Sequence, residues 1–188
     1  MGKLIVFEGI DRAGKSTQLS KLVDKLRNRG YTVDTFVFPT HNSTGSLLRK
    51  ALSGQESLNP EAMHLLFSAD RYQAKDYLNE MIKNNDFVIL DRYYFSGIAY
   101  SVSNGVDRDW CHEIDSNLPK PDHVIYLDID PSEAAKRSEY GECVFDNIEF
   151  QSKVRHAYIN MIDETWQKIN VTNLSIEEIS DTIILNLI

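Results

Sequence analysis

Residues Lys3 to Glu8 read Lys-Leu-Ile-Val-Phe-Glu, an apolar run too short for a helix and closed by Gly9, which predicts a strand buried on both faces. The period then changes. Leu19, Leu22, Val23 and Leu26 fall at i, i+3, i+4 and i+7, the spacing of an amphipathic helix, and Gly30 supplies its stop. Thr32 to Phe38 is rich in β-branched and aromatic residues and ends at Pro39. Phe87 to Leu90 and His123 to Leu127 repeat the buried-strand pattern. Asn59-Pro60 reads as an N-cap followed by proline in the first turn and opens a helix towards Ile82. Asp130-Pro131 repeats the signal for a short helix through Arg137. A helix over Ile148 to Trp166 carries Val154, Ala157, Tyr158, Met161 and Ile162 on one face. A strand over Ile169 to Thr172 follows, and the capping box Ser175-Ile176-Glu177-Glu178 opens the last helix.

Strands alternating with helices predict an α/β protein with a parallel sheet covered on both faces. No repeat, linker or low-complexity tract divides the 188 residues, so one domain over 1–188 is expected. Composition narrows the partners. With 20 Lys plus Arg against 28 Asp plus Glu, the net charge of -8 opposes non-specific binding to nucleic acid or to an anionic membrane surface. An anionic ligand must therefore be held by a local site. Cys111 and Cys143 lack the spacing of a zinc ribbon or a disulfide framework, which suits free thiols in a reducing compartment. No apolar run approaches the roughly 20 residues that span a bilayer, and no signal-peptide layout precedes the first strand. An intracellular, soluble, cytoplasmic protein is expected.

Gly9-Ile10-Asp11-Arg12-Ala13-Gly14-Lys15-Ser16 fits G-x-x-x-x-G-K-[ST] and lies between a predicted strand and a predicted helix, the context that a phosphate-binding P-loop requires. The chemistry follows from the residues. Backbone N–H groups at a helix N-terminus point at an anion, glycines let the chain approach it, Lys15 neutralises β/γ charge and Ser16 can ligate Mg²⁺. The chain has neither an N-K-x-D run nor a D-x-x-G after its third strand, the two usual marks of a GTPase switch. Asp91-Arg92-Tyr93 stands there instead, with Asp91 placed to hold a Mg²⁺-bound water and Arg92 offering a planar donor fork to a second phosphate.

A second phosphate site implies a phosphorylated acceptor. Phe67 and Arg71 are four apart on the helix that begins at Pro60 and project from one face. A flat ring beside a guanidinium can stack a base and donate to its carbonyl edge. By pattern alone, Phe67 also reads as core beside Leu66, with Arg71 as a solvated flank.

The ordered marks across the chain resemble the thymidylate kinase family. They are Phe7 to Thr17, Phe38-Pro39, Leu65 to Arg71, Asp91-Arg92-Tyr93, Phe95 to Tyr100, Leu118 to Asp122 and Ala134 to Arg137. The resemblance implies a three-layer P-loop kinase fold, with a five-stranded parallel sheet flanked by helices and a short lid at about 138–147. It implies transfer of the ATP γ-phosphoryl group to dTMP, giving dTDP and ADP in dTTP synthesis, with Mg²⁺ as cofactor and a homodimer as the assembly.

By position, the resemblance implies that ATP is held by Gly9, Ile10, Asp11, Arg12, Ala13, Gly14, Lys15, Ser16 and Thr17, with Arg137 packed against adenine. Phe67 would stack on thymine, Arg71 would bond its O4 and Arg92 would hold the acceptor phosphate. Phe38, Leu52, Gly97 and Tyr100 would line the nucleoside pocket, Asp11 would contact the sugar, Gln151 would stand near the base and Phe145 near the substrate. Arg12, Lys15, Asp91 and Arg92 are the implied catalytic residues, and Ser16 with Asp91, acting through water, the implied metal site. Because 138–147 holds no Lys or Arg, the sequence resembles members whose clamping arginine comes from the P-loop, here Arg12. Two departures stand out: Thr40-His41, where the family commonly has an acidic residue and arginine, and Phe145, where relatives often carry tyrosine. The rival expectations are a kinase for dUMP or another pyrimidine monophosphate and a P-loop protein without an acceptor.

Overall fold

The computed structural model describes residues 2–137 and 147–187, and most of the lid expected at 138–147, including Phe145, lies outside them. Five strands, β1 (Lys3–Glu8), β2 (Val33–Val37), β3 (Phe87–Asp91), β4 (His123–Asp128) and β5 (Trp166–Asn170), form one parallel sheet in the order β2-β3-β1-β4-β5. Apolar alternation explains how β1 is buried twice. Leu4 and Val6 join Val88 and Leu90 of β3 in one cluster, while Ile5 and Phe7 face a larger one with Ile89, Ile125 and Leu127. Side chains of a strand alternate between faces, so a continuous apolar run serves a sheet covered on both sides.

Helices supply the cover. On one side, α3 (Pro60–Asn84) lays Ala74, Leu78, Met81 and Ile82 on the smaller cluster. The larger cluster takes Leu22, Val23 and Leu26 of α1 (Lys15–Arg27), Val154 and Tyr158 of α7 (Ile148–Ile159), and Ile179 and Ile183 of α8 (Ile176–Leu185). The capping box at Ser175 is present in full, with Glu178 N–H donating to Ser175 Oγ and Ser175 N–H donating to Glu178.

Several boundaries differ from expectation, each for a local reason. The helix predicted to Trp166 stops at Ile159, because Asp163 accepts from the backbone and hydroxyl of Thr165 at 2.8 and 2.6 Å and turns the chain. Trp166 is thereby freed to pair with Val124, so β5 begins three residues before the predicted strand. The helix expected to reach Arg137 is α6 (Pro131–Ala134). Three helices carried no clear sequence signal: α2 (Ser43–Leu52), α4 (Tyr94–Ser103) and α5 (Arg108–Asp115). In α4, Phe95 to Ala99 are all buried, which erases the amphipathic period. Since β1 lies between β3 and β4, chain connections diverge to either side of it, and the crevice at the carboxyl ends of these strands opens there.

Candidate active site

The turn after β1 enters α1 at Gly14, whose φ of 98° lies in the left-handed region that favours glycine. Gly14 offers no side chain to cap the helix, so the first N–H groups of α1 remain available to an anion. Gly9 has φ 146°, and a Cβ there would stand 2.7 Å from the Leu127 carbonyl oxygen. Two non-glycine residues share the left-handed conformation: Arg12 at φ 64° and Arg92 at φ 68°. Both are arginines that the sequence assigned to phosphate, and backbone strain of this sort concentrates at functional sites.

Lys15 is buried and folds back on the loop, with Nζ donating to the carbonyls of Gly9 at 3.1 Å and Ile10 at 2.8 Å. Burial, then the neighbouring Arg92 charge, pushes its pKa down to about 8 against the pull of Asp11, Asp91 and Glu8. Ser16 Oγ donates to Asp91 Oδ2 at 2.7 Å, so the hydroxyl and carboxylate predicted to serve a metal stand together at the ends of α1 and β3. Arg137 Nη1 donates to the Arg12 carbonyl at 2.7 Å, which brings the predicted adenine contact to the P-loop's edge.

Arg92 joins this loop to the next part of the site. Its Nη1 donates to the Gly9 carbonyl at 3.0 Å and to Ser96 Oγ at 3.1 Å, and its Nη2 pairs with Asp11. Burial works to raise the Asp11 pKa, but the Arg92 and Lys15 charges with hydrogen bonds from Tyr100 and Gln151 hold it below the usual carboxylate range. Tyr100 Oη donates to Asp11 Oδ2 at 2.9 Å and Gln151 Nε2 donates to it at 3.1 Å, so with Arg92 three predicted residues from separate parts of the chain converge on one carboxylate.

Beneath them lies Glu8, buried at the end of β1. It accepts from the backbone of Tyr93 at 2.9 Å and Ser96 at 3.2 Å and so caps α4 from another element. Ser96 Oγ at 2.6 Å and Tyr158 Oη at 2.9 Å complete its coordination. Burial raises its pKa, partly offset by Ser96 and Arg92. Sequence reasoning gave Glu8, Ser96 and Tyr158 no role, although an acidic residue ending an apolar strand was a signal.

A cavity of about 200 Å³ opens beside Arg92. Asp11, Phe38, Leu52, Phe67, Arg71, Arg92, Gly97 and Tyr100, all predicted, line it. Gln151 reaches the site through Asp11 and is not among the lining residues. Pro39, Pro60, Met63, Tyr93, Ser96, Ser101 and Asn104 complete the wall without having been assigned to the pocket. Arg71 is not the solvated flank that pattern alone allowed: it is 2% exposed and paired with Asp115 of α5 at 2.7 Å. At the first departure from the family pattern, Thr40 is buried and bonds Asp70 through its backbone at 2.8 Å and its hydroxyl at 2.6 Å. His41 is exposed, while Arg49 Nη1 of α2 donates to the Thr40 carbonyl at 2.6 Å.

Comparison with known proteins accords with this geometry. A family model described as thymidylate kinase matches residues 7–183. The chain belongs to the thymidylate kinase family. Thymidylate kinase from Schizosaccharomyces pombe is 46% identical over 154 residues, covering 81% of this chain and 73% of the relative. That of Dictyostelium discoideum is 38% identical over 185 residues, covering 97% of this chain and 83% of the relative. The solved structure of thymidylate kinase from Candida albicans superposes with a TM-score of 0.89 at 31% identity, covering 99% of this chain and 91% of that one. The family assignment agrees with the P-loop kinase architecture expected from the strand order and motif. Its members named here are kinases, and no helix among the described residues is long and apolar enough to cross a membrane.

Proposed function

We propose that this chain, acting as one domain, transfers the γ-phosphoryl group of ATP to the 5′-phosphate of dTMP, yielding dTDP and ADP for dTTP synthesis. One observation carries the reading. Arg92 bonds the P-loop carbonyl of Gly9 and also lines the cavity that holds Phe67 and Arg71, so donor and acceptor phosphates would meet at one guanidinium.

The assigned roles follow from charge and reach. The uncapped N–H groups of α1 and Lys15 hold the ATP phosphates, and Arg12 clamps the transferring group in cis. Arg137 packs against adenine. Arg92, held in place by its anchors at Asp11 and Ser96, binds the acceptor phosphate. Phe67 stacks the thymine, Arg71 donates to its O4, Phe38, Leu52, Gly97 and Tyr100 enclose the nucleoside, Asp11 contacts the sugar, and Gln151, bonded to Asp11, stands near the base. No strong base is required, because a nucleotide phosphate with second pKa near about 6 is already largely dianionic at neutral pH. The Ser16 hydroxyl and Asp91 carboxylate form an all-oxygen pair that fits a hard cation, and they are the residues to hold Mg²⁺, Asp91 through water. That ion would neutralise phosphate charge in transit.

Leu65 and Tyr77 of α3 and Leu47 of α2 are exposed apolar side chains and support a homodimer. Light scattering that returns a mass near twice 21.6 kDa would agree, and a monomer would reject it. The two widely spaced cysteines support a reducing compartment, with the cytoplasm as the place of action. The deciding experiment is a coupled ADP-release assay with Mg²⁺-ATP and each nucleoside monophosphate in turn. Turnover greatest with dTMP is expected; preference for another acceptor overturns the pocket assignment, and no turnover overturns the kinase reading.

A further inference from the structure

Behind the cavity, Asp115, Ser68 and His64 surround Arg71 and have no part in the reaction described above. Arg71 is gripped along one edge. Asp115 Oδ2 accepts from Nη2 at 2.7 Å and Oδ1 from Nε at 3.4 Å, while Ser68 Oγ accepts from Nη2 at 3.0 Å. Both partners of the ion pair are buried, Arg71 at 2% and Asp115 at 3% exposure. A guanidinium is planar, so holding the Nε/Nη2 edge determines where the remaining nitrogen points. That nitrogen, Nη1, makes no hydrogen bond among the described residues, and Arg71 lines the cavity.

Gly97 closes the other freedom. A Cβ at this position would stand 2.9 Å from Nη2 and 3.0 Å from Nη1, so the guanidinium rests against the α4 backbone and cannot swing that way. His64 of α3 stands on the far side of Asp115. It is wholly buried, its Nδ1 lies 2.9 Å from Ser101 Oγ, and its Nε2, 3.8 Å from Asp115 Oδ2, has no hydrogen-bond partner. Burial pushes the His64 pKa down, so the imidazole stays neutral and leaves the Asp115 charge to Arg71.

We propose that Asp115, which does not line the cavity, is the positioning residue for base discrimination: its grip on the Nε/Nη2 edge of Arg71 turns Nη1 to the acceptor base as a donor, favouring a carbonyl oxygen and rejecting an amino group. The inference rests on the reading that Arg71 faces the base. It adds that the preference is set from α5, through a residue that never touches substrate. A donor held in place discriminates against a mismatched edge because mispairing leaves buried donors unsatisfied, whereas a swinging donor can follow either edge.

The test compares dTMP with dCMP, whose base carries an amino group at the same ring position. In Asp115→Asn, the dTMP KM is expected to rise about tenfold with kcat within about threefold, and the dTMP-to-dCMP ratio of kcat/KM to fall about tenfold. ATP affinity is expected to stay unchanged, and Asp115→Glu to restore part of the ratio. A ratio that keeps its wild-type value in Asp115→Asn overturns the proposal. Should that variant fail to fold, Ser68→Ala removes the second Nη2 anchor and leaves the charge pair intact. A fall of about threefold in the ratio supports the proposal and no change overturns it. Arg71→Ala separates the two readings: if it leaves the ratio intact, the base contact itself fails. If Arg71→Ala abolishes the preference while Asp115→Asn and Ser68→Ala keep it, only the present inference fails.

Discussion

The phosphate end and the base end of this site are built on opposite plans. At the proposed phosphate end, the nine consecutive residues from Gly9 to Thr17 offer mostly backbone to an anion, with Gly9, Arg12 and Gly14 in the positive-φ region and no side-chain cap on the N–H groups of α1. At the base end, side chains from α2, α3 and α4 meet in one cavity, and the central arginine is aimed by an aspartate 44 residues away. A backbone cradle is local and tolerates change around it. A side-chain cavity is only as defined as the contacts that hold its members, so remote residues become part of its specificity.

Arg12→Ala is expected to have the largest effect and to isolate the phosphate end. It should lower kcat by about 10³-fold while leaving the dTMP KM nearly unchanged, since it removes a contact made to the transferring group. Steady-state kinetics with dTMP varied check this, and an unchanged kcat would remove Arg12 from the clamp.

Gly97→Ala attacks the base end alone. The added Cβ meets the guanidinium of Arg71, which Asp115 prevents from retreating, so the dTMP KM should rise by about tenfold or more. ATP affinity by calorimetry should hold. An equal loss of ATP affinity would mean that the two ends are not separable.

Solution pH returns to the phosphate end, with a smaller effect. Phosphate binding favours protonated Lys15, so its pKa in the complex lies above the value of about 8 in the free protein. ATP affinity is therefore fully present below pH 8 and declines as pH rises through it, by up to about tenfold per pH unit, until the pKa of the complex is reached. Binding near that pH takes up protons, which calorimetry in buffers of different ionisation enthalpy reads directly. A flat profile from pH 7 to about 9.5 would show that Lys15 keeps its proton throughout.

The smallest change tests the junction. Ser96→Ala removes a hydroxyl shared by Glu8, Arg92 and Tyr158, while Arg92 keeps Asp11 and Gly9. A loss of about 1 to 3 kcal/mol in unfolding stability is expected from denaturant titration, with a modest rise in dTMP KM. If the KM increased as much as in Gly97→Ala, Arg92 would depend on Ser96 more than on its ion pair.

These two plans also govern how far the site could be read before the fold was known. The P-loop was legible because its residues are contiguous and its chemistry demands glycines and lysine at set spacings. The strands β1, β3 and β4 were legible because burial on both faces requires continuous apolar runs. Their order in the sheet required the pairing itself, as did α4, whose burial removes its period. The end of α7 was misplaced because Asp163 turned the chain against the helical pattern.

By itself the sequence determined the α/β class, the phosphate-binding loop and, through resemblance, the family and most of the cavity wall. Only the tertiary structure decided that Arg71 is a buried member of an ion pair, that Glu8 caps a helix from a neighbouring strand, and that Asp11 gathers Arg92, Tyr100 and Gln151. The physical reason is the same in each case. Local propensity and period act over a few residues, whereas the partner of a buried charge is chosen by whichever element the packing brings within about 3 Å.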